Sequence, residues 1–271
     1  MKKTIYKSPL IFTGAKDKLM PVLLEHFPKD VDTFYDVFTG GLSVTVNCDY
    51  DKIVSNDIIT PMVEFYEKIQ QHGNVEDLIE MVKNSAISKT DQDEYNRVRS
   101  EFNENQNPYL FFSLVSSCMN NMMRFNKKLE FNQSFGKRTV NKSTIAKLRD
   151  YHRIIHEKDI MFTNYDYKEF LTKLDIGPGD FVYLDPPYLI TDSGYNRYWS
   201  WDDEIMIYSM LEMLDANDIR FVMSNVREHN GKVNPHLRRL SGYEIVDIDF
   251  DYEKVAKKKG KGTKEIIVKN F

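Results

Sequence analysis

The apolar positions follow one rhythm at both ends of the chain and another in its middle. Near the ends they come as short runs bounded by glycine, proline and asparagine. That pattern predicts buried strands at 33–38, 52–57, 159–163, 181–184 and 219–224. Between the runs, apolar residues recur at helical spacing. Leu19, Val22, Leu23 and Phe27 predict a helix over 19–27, and further helices are expected over 42–46, 58–69 and 202–214. Strands alternating with helices predict an α/β fold around a parallel sheet. The middle is different. From Pro61 to about Ile155 only the helical period persists, carried by Met62, Phe65, Tyr66 and Ile69, then Leu78, Ile79 and Val82, then Tyr95, Val98 and Phe102. This stretch reads as a helical insertion. A terminal hairpin is expected from 243–250 and 265–268, around a lysine tract.

Composition narrows the class. The 271 residues are 41% hydrophobic and 13% aromatic, too rich in apolar groups for general disorder. No 18-residue apolar stretch is present, so no membrane span is expected. Met-Lys-Lys-Thr leads into Tyr6 without an apolar signal segment, and Cys48 and Cys118 form no Cys-x-x-Cys pair. A reducing, cytoplasmic location is expected. The net charge of −4 would discourage a polyanion partner if charge were evenly spread. It is not: nine Lys/Arg from Arg124 to Arg153 face two acids, Glu130 and Asp150, and six lysines between Lys254 and Lys264 face none. Two basic patches on an acidic body suit contacts to a polyanion, although a solvated face and a flexible tail have the same composition.

The chemistry gathers at strand ends. Asp185-Pro186-Pro187-Tyr188 closes the run 181–184, where open α/β sheets place ligands. The prolines fix φ and lack N–H donors, leaving an acid and carbonyl acceptors beside an aromatic ring. Such a turn suits a planar amino group; a plain strand end with a core tyrosine is the alternative. Phe12-Thr13-Gly14-Ala15-Lys16 reads as a loop opening a helix, a site for a carboxylate or phosphate. Phe38 and the Gly40-Gly41 turn follow the strand 33–38 without a full G-x-G-x-x-G, and Asp57 ends the next strand. That acid can take ribose hydroxyls or cap the following helix. Asp166 and Tyr167 lie just past the strand 159–163. The loops 120–128 and 131–138 mix asparagine, arginine and lysine with Met and Phe, which suits base edges and phosphates. The aromatic segment 192–201 is placed to cover the site. His152 and His156 have metal-ligand spacing but no third ligand, so no metal is expected.

In this order the parts resemble a Dam-type DNA N6-adenine methyltransferase of the α group, most closely the T-even phage branch. The resemblance implies a class I S-adenosylmethionine-dependent methyltransferase fold, a Rossmann-like sheet formed by 1–58 and 146–271 with a helical target-recognition domain at 59–145. It implies S-adenosylmethionine as cofactor, held by Phe12, Lys16, Phe38, Gly40, Asp57 and Asp185, with Asp166 and Tyr167 at its adenine. It implies catalysis by Asp185, Pro186, Pro187 and Tyr188 on a flipped adenine. Duplex DNA would be contacted by Met119, Met122, Arg124, Asn126, Ser134, Lys137, Arg138 and Tyr195, with GATC as target. Phe12 stands where the family often has tyrosine or tryptophan, Ser134 where relatives carry proline, and Met119 where an aromatic wedge is usual. A bacterial or phage-infected host, a cognate restriction endonuclease and no obligate partner complete the expectation. Asx-Pro-Pro-Tyr also serves RNA adenine and protein glutamine methyltransferases, and a catalytically inactive DNA-binding scaffold is a third reading.

Overall fold

A computed structural model describes residues 4–10, 16–191, 199–248 and 262–271. Phe12, Tyr195 and the lysine tract through Lys261 lie outside the described residues.

The apolar runs become strands: β1 (Phe34–Asp36), β2 (Lys52–Asn56), β3 (Asp159–Thr163), β4 (Phe181–Leu184) and β5 (Arg220–His229). These five are parallel, in the order β3-β2-β1-β4-β5. The order reverses between β1 and β4, which opens a crevice at their carboxyl ends. A short β6 (Lys232–Val233) pairs with β5, β8 (Thr263–Lys269) lies antiparallel to β5, and β7 (Glu244–Ile248), antiparallel to β8, completes the sheet. β5 runs past the predicted end at 224 because β8 pairs with it through His229, across a bulge between Val226 and Glu228. The extension is polar, so apolar periodicity does not reveal it; Glu228 pairs with Lys264 and Arg227 with Asp247.

Strand alternation sends side chains to two cores. Phe34, Phe181, Tyr183, Val222 and Ile267 face one, Tyr35, Val182, Leu184, Met223 and Val268 the other. The second is covered by α8 (Tyr167–Lys173) and α9 (Trp201–Ala216). The first is covered by α1 (Met20–Glu25), α2 (Ser43–Asn47) and the helical run α3 (Thr60–Gln71), α4 (Val75–Asn84), α5 (Gln92–Asn105), α6 (Pro108–Ser117) and α7 (Lys142–Glu157). Apolar contact is continuous from Phe34 and Ile53 in the sheet to Phe112 and Tyr151 in those helices. Phe65 of α3 stacks on Phe112 of α6 at 4.5 Å. Asn74, Asp91, Asn107 and Asn141 each accept amides at the starts of α4 to α7, which fixes where the helices begin. No helix among the described residues is long and apolar enough to cross a membrane.

After α6 the chain turns back on itself, bridging Cys118 to Phe135 and Phe125 to Phe131. Gly136 closes this loop: its N–H donates to the Ser117 carbonyl at 2.8 Å. A Cβ there would lie 2.3 Å from the Cys118 carbonyl oxygen, a backbone atom that cannot swing aside. Gly136→Ala is therefore expected to destabilise the protein by about 1–3 kcal/mol. Thermal melting checks this, and an unchanged midpoint would refute it.

Candidate active site

The tips of β1, β2, β3 and β4 meet in one place. Asp185 follows β4, and its Oδ1 accepts the Tyr188 hydroxyl at 2.8 Å and lies 3.0 Å from Lys16 Nζ. Lys16 Nζ also donates to the Tyr188 hydroxyl oxygen at 2.6 Å and sits 4.8 Å from the centre of its ring. The lysine side chain is 7% exposed and the aspartate 18%, so this ion pair is largely withdrawn from water. Burial, and then the neighbouring Asp185, hold the Tyr188 phenol well above its ordinary pKa. It remains a neutral donor. Lys16 lies in a single 3-10 turn, Lys16–Lys18, and the helix predicted over 19–27 is confined to Met20–Glu25. Asp17 in that turn accepts the Ser43 hydroxyl at 2.7 Å, tying it to the start of α2.

At the tip of β1 the chain bends through Gly40, at φ 47°. Its N–H donates to Asp57 Oδ2 at 2.9 Å. Leu42 follows at φ 63°, fully buried, a strained conformation for a leucine. The other Asp57 oxygen accepts the Ile59 amide at 3.0 Å, ahead of α3. Asp57 thus serves the glycine turn and the helix approach with separate oxygens. Burial pushes its carboxyl up to about 6, against the pull of these amides.

Asp36, the last residue of β1, is 1% exposed. Its Oδ2 accepts hydroxyls from Thr39 at 3.0 Å and Thr45 at 2.9 Å, while Oδ1 is buried with no partner among the described residues. Burial raises it to about 7, the threonine hydroxyls pull it down, and Asp185 and Asp57 nearby add to the rise. Asp36 is not among the site residues expected from the sequence. The available signal was the one used for Asp57, an acid ending an apolar run beside a turn.

Asp166 accepts the Lys168 amide and caps α8, and Tyr167 opens that helix. Phe38 and Tyr167 lie ring to ring at 5.6 Å. Trp199 completes the cluster, 5.9 Å from Phe38 and 5.3 Å from Tyr167.

The recognition candidates lie apart on the loop 118–138. Met119 is 48% exposed, and Ser134, Lys137 and Arg138 are exposed. Met122, Arg124 and Asn126 are half-buried. Arg124 donates through Nε to Asn132 Oδ1 at 2.9 Å and through a terminal nitrogen to the Asn132 carbonyl at 2.6 Å. Asn126 donates to Glu130 and accepts the Lys128 and Glu130 amides, building the loop's turn. Arg138 donates to Asn121. The basic run divides: Lys127, Lys128, Lys137 and Arg138 are exposed on the loop, whereas Arg149 and Arg153 on α7 pair with Glu76 and Glu157. His152 and His156 stack at 4.1 Å, and each bonds a backbone carbonyl.

Residues 12–249, which include the strand tips and the loop, match the D12 class of N6 adenine-specific DNA methyltransferases. The chain belongs to this family. Its mostly parallel sheet, covered by helices on both faces, is the class I S-adenosylmethionine-dependent methyltransferase arrangement. Over 99% of its length the chain is 32% identical to the modification methylase StsI of Streptococcus sanguinis. Over 98% it is 30% identical to the type II methyltransferase M.FokI of Planomicrobium okeanokoites. It spans 43% of the length of each of these proteins. A DNA adenine methylase of Salmonella typhi is 26% identical over 92% of this chain and 89% of that protein. Within the stretch matched to this family, the Asp-Pro-Pro-Tyr, the glycine turn and the strand-end acids lie in one crevice.

Proposed function

We propose that this chain transfers the methyl group of S-adenosylmethionine to N6 of an adenine flipped out of duplex DNA, within GATC. The Lys16–Asp185–Tyr188 cluster at the tip of β4 carries this reading. An adenine N6 lone pair is delocalised into its ring and is a poor nucleophile. Asp185 and the Pro186 carbonyl are acceptors for the amino hydrogens, which turns that nitrogen toward tetrahedral geometry, and Tyr188 offers a ring to an extruded base. The same acceptors stabilise the positive charge that develops on N6, and orientation supplies much of the remaining barrier reduction.

The residues fit the cofactor. The buried Asp36 Oδ1, without a partner among the described residues, suits an ammonium, Lys16 a carboxylate, and Asp57 ribose hydroxyls. Phe38 and Tyr167 offer rings to its adenine, with Asp166 beside them. S-adenosylmethionine supplies an electrophilic methyl on a sulfonium. The protein's part is to bind it, orient it and exclude water.

GATC rests on the resemblance of Met122, Arg124 and Asn126 to Dam-type base readers, as does placement in the T-even phage branch, with 59–145 as the recognition domain. The modification and type II methyltransferases among the relatives support a role beside a cognate restriction endonuclease in a bacterial or phage-infected cell. The test is tritiated methyl incorporation into duplexes with and without GATC. Label confined to RNA or protein would refute DNA adenine transfer, and equal label in both duplexes would refute GATC. Asn132 holds the Nε edge of Arg124 and leaves terminal N–H groups of the guanidinium to meet a guanine. Arg124→Ala is expected to weaken guanine discrimination by ~1–3 kcal/mol, measured as the ratio of kcat/KM on matched and mismatched duplexes. An unchanged ratio counts against the assignment.

A further inference from the structure

Glu204, in the first turn of α9, is fully buried, and among the described residues its partners are neutral donors. A carboxylate withdrawn from water is costly unless its oxygens are well bonded, so its presence asks for a reason beyond filling space. The donors divide unequally. Oε1 accepts the Tyr208 hydroxyl at 2.5 Å and the Asn225 and Asn234 amides at 3.2 Å each. Oε2 accepts the Trp199 indole N–H at 3.0 Å. Three contacts anchor one oxygen to α9, β5 and the turn after β6, and the other holds a ring.

That ring is the third member of the cluster with Phe38 and Tyr167. Phe38 stands between Asp36 and the Gly40 turn, and Tyr167 follows Asp166 past β3. The start of α9 is capped and tied to α8. Ser200 and Asp203 form a reciprocal capping box, and Asp203 lies 3.0 Å from Lys168 Nζ of α8. Glu204 is therefore a fixed point from which the indole is aimed.

We propose that Glu204 is a positioning residue that holds Trp199 as an aromatic contact for the adenine of the methyl donor. The inference rests on the reading of the strand-tip crevice as a donor site. It makes a selective prediction for Glu204→Gln. The single amide oxygen can keep Tyr208, Asn225 and Asn234, which places the amide N–H group against the indole N–H, donor against donor. The scaffold is retained and the tie to the ring is broken.

The test is titration calorimetry with S-adenosylmethionine and S-adenosylhomocysteine on the full chain. Glu204→Gln is expected to weaken both by about tenfold, the scale of one lost charge-assisted hydrogen bond. The donor KM should rise with it while kcat does not fall in proportion. Trp199→Phe keeps a ring and removes the N–H, so adding Glu204→Gln to it should cause no further loss. Trp199→Ala, which leaves Glu204 in place, should also weaken binding. Wild-type affinity in Glu204→Gln or in Trp199→Ala overturns the proposal, as does an equal loss from Glu204→Gln with and without the indole. A wild-type protein that binds neither ligand refutes the donor site itself, a separate outcome.

Discussion

Asp185→Ala is expected to lower methyl incorporation into duplex DNA by about 10^3-fold, the scale of removing one preorganised partner of a developing charge. The substitution removes the oxygen that receives both Lys16 and the Tyr188 hydroxyl. The amino group loses its acceptor and the tyrosine ring loses one of its anchors. Lys16, 7% exposed, is left without that partner carboxylate, so part of the effect falls on donor binding and on stability. Asp185→Asn isolates the carboxylate charge from the tyrosine anchor. It keeps an oxygen for the tyrosine but removes the charge, and transfer is again expected to collapse. On the proposed reading, in which the exposed lysines of the loop contact phosphates, DNA affinity in a gel-shift assay should largely survive either change. Wild-type turnover in Asp185→Ala would falsify the assignment of the acceptor.

Asp36→Asn should trade donor affinity for stability. The native carboxyl is raised from 3.8 to about 7 by burial. A carboxyl with a raised folded-state pKa favours the fold while it is protonated. Its contribution is complete below the unfolded value near 4 and is lost as pH rises through about 7, at about 1.4 kcal/mol per pH unit in between. Asp57, raised to about 6, adds a loss of the same sign over the lower part of that window. The wild-type protein without ligand is therefore expected to be less stable at pH 8 than at pH 5. Asparagine keeps an acceptor for Thr39 and Thr45 and cannot ionise. Its buried amide N–H group offsets part of the gain, leaving roughly 1–3 kcal/mol at pH 8 and a flatter pH profile. S-adenosylmethionine, deprived of an anionic partner for its ammonium, should bind about 10–100-fold more weakly. Chemical denaturation at the two pH values and calorimetry check both halves; parallel pH profiles for the two proteins would refute the first.

How much of this was legible depends on the kind of signal. β3 and β4 begin and end where the apolar runs do, because glycine, proline and polar turns punctuate them. Asp57 and Asp185 were readable for the same reason: an acid at the end of an apolar run lies at a strand tip. β5 outruns its apolar stretch because its last residues are held by pairing with β8, a partner about 40 positions away. Arg124 and Asn126 read as groups free to meet bases, yet the loop uses both to hold its own shape, and only the fold shows Asn132 and Glu130 opposite them. Glu204 carried no signal. Beside Asp202 and Asp203 it has the look of a solvated helix start, and its burial follows from where Trp199, Asn225 and Asn234 converge.

Lys16 and Tyr188 are 172 positions apart in the chain, and β1 waits for β4 to cover its second edge. At 5–20 residues per second, synthesis leaves the lysine without its partners for roughly 10–30 s. During that time β1 has β2 on one side and an open edge on the other. The crevice is thus assembled late, by contacts of long sequence separation that form slowly. A ligand bridging the Lys16 turn and Asp185 stabilises only chains that have finished this closure. During biogenesis the methyl donor would then act as a quality filter, protecting completed molecules from proteolysis and leaving partial ones exposed.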